Sequence, residues 1–267
     1  MTGLFAMPPA RQVPLPDGGW LSVHEQAGQG PALLLLHGFT DCAESYRLLL
    51  PHLAGRHLVI PDLRGHGASF RGPIRSLDTF AQDVEVLVVA LGLDEPVVVG
   101  HSMGALVAVA IAARKRVKLS GMVLISGSLL PASPALSELK NEFAALPVPL
   151  PAMHPFLDVW YACSRPVPSP FLERLRASCT AMRREDWLVC LDVIGAADLI
   201  EAAASLTVPT VVLGGSDDSI FPEEHQTCMT ATLRAIRSLV FAGVGHNPHW
   251  EVPAEVAVNI LQATHSK

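Results

Sequence analysis

Val-Val-Val-Gly-His-Ser-Met-Gly, residues 97–104, decides the fold of this chain. Three β-branched apolar residues indicate a buried strand, and a helical pattern follows from Met103 to Arg114. The glycines on either side of Ser102 permit a sharp turn between the two, since glycine has no Cβ to clash there. Gly-x-Ser-x-Gly at a strand-to-helix turn is typical of a serine whose hydroxyl projects as a nucleophile. The alternative is a serine that caps a glycine-rich helix start.

Apolar runs on both sides of this unit predict further strands. The predicted strands are Trp20–Glu25, Ala32–Leu36, His57–Pro61, Pro96–Gly100, Gly121–Ser126, Pro209–Gly214 and Leu239–Gly243. The helical patterns between them are Glu44–Ala54, Leu77–Leu91, Met103–Arg114, Pro222–Thr232 and Pro253–Thr264. Continuous runs of Val, Ile and Leu are typical of strands that a parallel sheet buries on both faces. Because strand and helix alternate, the sequence predicts an α/β doubly wound architecture.

The regular alternation fails between residues 127 and 207. This stretch is rich in proline and contains helix-like segments at Glu173–Met182 and Glu185–Ile194. A segment of this kind between two sheet strands is interpreted as a helical lid over the active site. Residues 1–126 and 208–267 are therefore predicted to form a core domain, and residues 127–207 a lid inserted into it.

The amino-acid composition limits which class of protein this is and which partners it can have. Half of the 267 residues are hydrophobic and 16% are charged, which predicts a globular chain with a large core. The net charge of −6 provides no basic stripe, so nucleic acid is not an expected partner. Apolar runs such as Ala32 to Leu36 are far short of the ~20 residues that cross a bilayer, so no membrane partner is expected. Met1 to Ala10 has no basic n-region, which favours a cytoplasmic location.

The five cysteines are Cys42, Cys163, Cys179, Cys190 and Cys228. Their odd number and wide spacing, with no Cys-x-x-Cys pair, argue against a disulfide framework and against a zinc site. We expect free thiols, most of them buried.

A serine hydroxyl needs a base to take its proton and a third group to orient that base. His246 lies in Gly-Val-Gly-His-Asn-Pro, just past the last predicted strand, where a loop would present it at the carboxyl edge of the sheet. His249 is the main rival among the 11 histidines. For the orienting acid, Asp217 and Asp218 both follow the strand that ends at Gly214, and the residues alone leave both open.

Cleavage of an acyl group also requires donors for the negative oxygen of the tetrahedral intermediate. The backbone N–H of Met103, at the start of a helix, is one candidate. The second is the N–H of Phe39 in His37-Gly38-Phe39, where glycine lets the backbone approach the substrate closely.

These motifs, together with the segment Asp62–Ser69, resemble the α/β-hydrolase superfamily from about Trp20 to Leu261, the lid excepted. The resemblance implies a mostly parallel, eight-stranded sheet flanked by helices. It favours Asp218 as the acid, because the family's acid tends to stand three residues after a glycine and four before a proline. It also implies that Asp62–Ser69 is structural. Haloalkane dehalogenases and epoxide hydrolases of this fold carry an aspartate where Ser102 stands, so those activities are not expected.

The resemblance implies a serine hydrolase with the triad Ser102, Asp218 and His246. We expect it to cleave a carboxylic ester or lactone of a hydrophobic small molecule through an acyl-enzyme, without a metal or organic cofactor, as a monomer or homodimer. Carbon-carbon hydrolysis of a vinylogous diketone is the alternative activity, and a non-catalytic ligand-binding protein is the alternative class. Six lid residues are candidates for contact with substrate: Phe143, Met153, Phe156, Trp160, Tyr161 and Trp187.

Overall fold

The computed structural model describes residues 6–264 and contains an eight-stranded sheet. The strands are β1 (Ala10–Pro14), β2 (Trp20–Gln26), β3 (Gln29–Leu36), β4 (Arg56–Pro61), β5 (Val97–His101), β6 (Gly121–Ile125), β7 (Thr210–Gly215) and β8 (Arg237–Phe241). Their order across the sheet is β1-β2-β4-β3-β5-β6-β7-β8. β2 is antiparallel to both of its neighbours, and the remaining pairs are parallel. The mostly parallel, eight-stranded sheet is thus confirmed.

Ten α-helices occur in the described residues. They are α1 (Leu77–Ala90), α2 (Met103–Arg114), α3 (Pro134–Ala145), α4 (Pro155–Trp160), α5 (Ser169–Ala181), α6 (Arg184–Gly195), α7 (Ile200–Ala204), α8 (Glu223–Thr232), α9 (Pro248–Glu251) and α10 (Pro253–Ala263). None of these helices combines the length and the apolar character that crossing a bilayer requires. Helices α3 to α7 occupy the chain between β6 and β7, where the sequence predicts a lid.

One local prediction was wrong, and one strand was missed. The helix predicted at Glu44–Ala54 is instead two short 3-10 helices, Ala43–Tyr46 and Leu50–Leu53. Pro51 explains the break, because its ring and missing N–H end a continuous helix. Strand β1 was not predicted, since it lies at the edge of the sheet and four of its five residues are exposed.

The central strands explain the continuous apolar runs. Strands β3, β5, β6 and β7 have helices on both sides, and their side chains enter two separate hydrophobic clusters. Along β3, Leu34 and Leu36 pack into one cluster while Leu33 and Leu35 pack into the other. Successive side chains of a strand point to opposite faces, so a strand buried on both faces must be apolar throughout. The carboxyl ends of these parallel strands meet at one edge of the sheet, and the loops that follow them share that edge.

The described residues contain five free cysteines, of which Cys42, Cys179 and Cys190 are buried and the other two half-buried. The predicted free and mostly buried thiols are confirmed. The first five residues of the segment Met1–Ala10, from which the cytoplasmic location was predicted, lie outside the described residues.

Candidate active site

Ser102 stands in the turn between β5 and α2 with a backbone φ of 51° and ψ of −115°. A positive φ is unusual for a residue with a Cβ and indicates local strain, which the surrounding structure must hold in place. Ser102 occupies the N-cap position of α2, yet its side chain makes no capping hydrogen bond. The hydroxyl is therefore not used as a helix cap, which leaves it available for chemistry.

The two flanking glycines allow the elbow to close. A Cβ on Gly100 would overlap the backbone of Gly104, and a Cβ on Gly104 would overlap the carbonyl oxygen of Leu36 at the end of β3. Helix α2 therefore packs directly on the sheet backbone. Any side chain at position 104 would push α2, and Ser102 with it, away from β3.

His246 meets the serine hydroxyl. Its Nε2 lies 3.0 Å from Ser102 Oγ, although the two residues are 144 positions apart in the chain. The side chain of His246 is 12% exposed, so it is sheltered but reachable. His249, the rival, is fully buried and its Nε2 faces the hydroxyl of Ser45, 3.1 Å away. The structure thus brings His246 to the hydroxyl of Ser102 and places His249 against Ser45 instead.

Asp218 meets the other side of the same imidazole. Both carboxylate oxygens lie 2.9 Å from His246 Nδ1, and one of them also accepts hydrogen bonds from the N–H groups of Ile220 and Phe221. The Asp218 side chain has no solvent exposure, whereas Asp217 is exposed and accepts a hydrogen bond from the hydroxyl of Ser216. Of the two aspartates that the residues alone left open, only Asp218 contacts the histidine.

The ionisation of Asp218 depends on His246. Burial acts to raise the pKa of this carboxyl, but the charge and hydrogen bond of His246 outweigh burial and hold the pKa below its ordinary value. Asp218 is therefore a carboxylate at neutral pH, and it fixes the proton of His246 on Nδ1. Nε2 is left free to accept a proton from Ser102.

The loop after β3 lies against the elbow. A Cβ on Gly38 would fall 2.8 Å from His101 Nδ1 and 3.3 Å from Ser102 Cβ, so glycine permits this approach. His37 Nε2 accepts a hydrogen bond from the Leu63 N–H, which leaves its Nδ1 to donate to the Gly38 carbonyl, 2.8 Å away. In a planar trans peptide the next N–H, that of Phe39, points away from that carbonyl. The Phe39 N–H thus faces away from His37. The Met103 N–H is one of the first donors of α2, which have no partner within the helix.

A cavity of about 410 Å³ opens above Ser102 and His246. Phe156, Trp160 and Tyr161, three of the six candidates for substrate contact, line it. The other three lid candidates do not line it. Phe143 and Trp187 are fully buried in the hydrophobic core, and Met153 is 86% exposed. The Phe143 ring packs edge-on against Trp160, so it supports the cavity wall from behind.

Sequence reasoning missed the residues that connect the lid to the loops around the site. Thr40 has a positive φ of 64°, and its hydroxyl accepts a hydrogen bond from Trp160 Nε1, 2.9 Å away. Glu251 accepts one hydrogen bond from the N–H of Gly245 and another from the N–H of Arg165 in the lid. Isolated polar residues such as Thr40 and Glu251 form no sequence pattern, so these links could not be predicted from the sequence alone.

The segment Asp62–Ser69 lies outside the site and has structural contacts. Asp62 accepts hydrogen bonds from the N–H groups of Ala43 and Ala68. Arg64 forms a two-bond ion pair with Asp83, with N–O distances of 2.7 and 2.8 Å. These contacts tie the loop after β4 to α1 and to the loop after β3.

The site consists of a hydroxyl, an imidazole and a carboxylate joined by hydrogen bonds at the carboxyl edge of a mostly parallel α/β sheet. This combination of site and fold is typical of hydrolases. The sequence profile of the alpha/beta hydrolase family matches residues 33–259. The chain belongs to the alpha/beta hydrolase family.

Individual relatives extend the comparison. Lipase 1 from Psychrobacter immobilis is 27% identical over 248 residues, covering 86% of this chain and 75% of the lipase. The magnesium-chelatase 30 kDa subunit from Rhodobacter capsulatus is 36% identical over 97 residues, or 35% of this chain and 34% of that protein. A thermophilic esterase structure from Thermogutta terrifontis, with malate bound, superimposes with a TM-score of 0.80 at 26% identity, covering 97% of this chain and all of that one. Esterase and lipase neighbours support hydrolysis as the reaction class.

Proposed function

We propose that the chain is a serine hydrolase that cleaves a carboxylic ester or lactone of a hydrophobic small molecule. The observation that carries the proposal is the continuous chain Ser102–His246–Asp218, with distances of 3.0 and 2.9 Å. The order of the three groups fits general-base attack. The hydroxyl donates to a free Nε2, and the carboxylate holds the opposite nitrogen protonated.

In the first half-reaction Ser102 Oγ attacks the substrate carbonyl while its proton passes to His246 Nε2. The carbonyl oxygen becomes an anion, which the N–H groups of Phe39 and Met103 stabilise, each donor contributing about 3 kcal/mol. Asp218 stabilises the imidazolium that forms. The C–O bond to the leaving group then breaks, and the alkoxide takes the proton from His246, leaving an acyl group on Ser102.

In the second half-reaction water attacks the acyl-enzyme. His246 takes a proton from the water, the tetrahedral intermediate forms in the same place, and its collapse returns the proton to Ser102 Oγ and releases the acid. With a lactone, the alcohol remains attached to the acyl chain, so one product molecule leaves rather than two.

The cavity supports a hydrophobic substrate. Its volume lies at the lower end of the range for small-molecule sites, which is roughly 300–1,000 Å³. Aromatic and aliphatic side chains provide most of its wall, including Phe39, Phe156, Trp160, Ile220 and Phe221. Such a wall stabilises apolar acyl or alcohol groups by removing them from water.

The test is acid release, followed by pH-stat, across linear esters of increasing acyl length and lactones of increasing ring size, with Ser102→Ala as the blank. We expect turnover on at least one apolar member, loss of that turnover in the variant, and a product count that separates linear from cyclic substrates. Equal rates for wild type and Ser102→Ala, or no turnover on any member, would contradict the proposal. In the latter case a vinylogous diketone tests carbon-carbon cleavage.

A further inference from the structure

A buried polar cluster lies behind the imidazole of His246, and the proposed mechanism does not use it. We call Asp41, Ser45, His101 and His249 the buried cluster; none of the four is more than 3% exposed. The ring centroid of His101 lies 5.1 Å from that of His246 and 4.3 Å from that of His249. Burying a polar side chain lowers the stability of the fold unless its hydrogen bonds are made. Four buried polar side chains in one place therefore require an explanation.

His101 holds the backbone of the base. Its Nε2 lies 3.0 Å from the carbonyl oxygen of His246, and a carbonyl only accepts, so Nε2 carries the proton. Burial lowers the pKa of His101 to about 3, which keeps the ring neutral and Nδ1 unprotonated at neutral pH. Nδ1 has no hydrogen-bond partner among the described residues and lies 3.9 Å from Asp41 Oδ2.

Ser45 holds the chain three and four residues beyond His246, at the start of α9. The hydroxyl of Ser45 donates its single proton to Asp41 Oδ2, 3.1 Å away. His249 Nε2, also 3.1 Å from that hydroxyl, must then be the donor to it. Trp250 Nε1 donates to the Ser45 carbonyl, at 3.0 Å. Residues 249 and 250 are therefore anchored to the 3-10 helix Ala43–Tyr46, which follows the loop after β3.

Asp41 joins this anchor to the oxyanion loop. Its N–H donates to the Gly38 carbonyl, at 3.3 Å, one residue before the Phe39 donor. Burial raises the pKa of the Asp41 carboxyl to about 7. The buried cluster therefore touches the three loops that carry the oxyanion donor, the nucleophile and the base.

We propose that the buried cluster positions the general base: His101 fixes the carbonyl of His246, and the chain Asp41–Ser45–His249 fixes α9, which directly follows the His246 loop. His101 and His249 are positioning residues, because they act through the backbone of His246 and not on the substrate. This inference rests on the proposed function, in that His246 is taken as the base. A misplacement of about 1 Å at a reacting group can cost about a hundredfold in rate, so the restraint matters for turnover.

The first test compares His101→Ala with His101→Gln on the best ester substrate, each corrected for active sites with a fluorophosphonate. The Gln amide nitrogen reaches the position of Nε2 and still donates to the His246 carbonyl. We expect His101→Ala to lower kcat by about tenfold to a hundredfold with KM within about threefold. We expect His101→Gln to restore kcat to within about threefold of wild type. Wild-type kcat in His101→Ala, or equal losses in both variants, would overturn the proposal.

A second readout is independent of any substrate. The proton between His246 Nδ1 and Asp218 gives a downfield NMR resonance in a closed hydrogen bond. We expect that resonance to shift or broaden in His101→Ala and to be retained in His101→Gln. If wild type hydrolyses no ester, the proposed function fails while this measurement still decides the positioning role. An unchanged resonance in His101→Ala refutes that role whatever the substrate.

The double variant tests whether the two anchors act on one segment, residues 246–249. His249→Ala removes the donor to Ser45, and His249→Gln retains it. If both anchors restrain the backbone of His246, the kcat loss in His101→Ala/His249→Ala falls short of the product of the single losses. Independent, multiplicative losses would show that the buried cluster is not a single positioning unit.

Discussion

Both carboxylate oxygens of Asp218 lie 2.9 Å from Nδ1 of His246, while the adjacent Asp217 is exposed at the surface. Neighbouring residues of the same type thus have opposite environments. The difference arises because the chain turns sharply here: the N–H groups of Ile220 and Phe221 donate back to Asp218 and point its side chain inward.

This pair provides a matched test of the orienting acid. We expect Asp218→Asn to lower kcat by at least about a hundredfold, because an amide favours the wrong tautomer of His246 and does not stabilise the imidazolium. Asp217→Asn should stay within about threefold of wild type. Steady-state kinetics on the best ester substrate measures both, and comparable losses in the two variants would remove Asp218 from this role.

The lid offers a second matched pair. Phe156 lines the cavity, whereas Met153 in the same segment is 86% exposed. We expect Phe156→Ala to raise KM about tenfold for apolar esters, since losing contact with the ring costs about 1–2 kcal/mol. Met153→Ala should leave KM within about twofold. A larger rise in KM for Met153→Ala than for Phe156→Ala would mean that this cavity does not hold the substrate.

The elbow predicts a difference between two glycines. A Cβ at Gly104 would overlap the backbone of β3, whereas a Cβ at Gly121 would meet its nearest neighbour at 3.5 Å, an ordinary contact. We expect Gly104→Ala to lower the free energy of unfolding by about 2 kcal/mol or more, and Gly121→Ala by less than about 1 kcal/mol. Urea denaturation followed by circular dichroism gives both values. Equal free energies of unfolding in the two variants would show that α2 can move away from β3 without loss of stability.

Buried histidines predict a loss of stability in acid. Burial lowers the pKa of His37 to about 4 and those of His66 and His101 to about 3. The unfolded chain binds protons at its histidines near pH 6.5, while the native chain binds them only near pH 3–4. The free energy of unfolding therefore falls as pH drops below about 6.5, by up to about 1.4 kcal/mol per pH unit for each such histidine.

His66→Asn isolates one of these contributions. The Asn side chain retains the donor to the Arg64 carbonyl, which lies 2.9 Å from His66 Nδ1, but it does not titrate. Between pH 6 and pH 4 we expect wild type to lose about 2–3 kcal/mol more than the variant, as measured by urea denaturation at each pH. If the free energies of unfolding of wild type and His66→Asn change with pH in parallel, His66 takes up its proton in the folded state at an ordinary pKa.

Much of the architecture was accessible from sequence, because its signals are local. The run of valines before Gly100 and the glycines beside Ser102 predict a strand, an elbow and a helix within one stretch of chain. The convergence of loops at one edge follows from parallel strands in general. Pro51 was also visible within the helix predicted at Glu44–Ala54, and its presence should have ended that prediction.

What could not be predicted depends on packing between distant segments. Apolar composition marks Met153, Phe143 and Phe156 alike, yet one is exposed, one is core and one lines the cavity. Asp41 lies in a loop and His249 in the short helix α9, and Ser45, which contacts both, is 204 positions from His249. Neither periodicity nor spacing contains that information.

The separation of 144 residues between Ser102 and His246 has a consequence for how the protein is made. A nascent chain on the ribosome carries the nucleophile elbow well before it carries the base, because β7 and β8 are synthesised between them. Until β8 has joined the sheet, the serine has no partner to take its proton. The hydrogen-bonded arrangement of Ser102, His246 and Asp218 therefore forms only after the chain has been synthesised past His246 and the loop that follows β8 has folded.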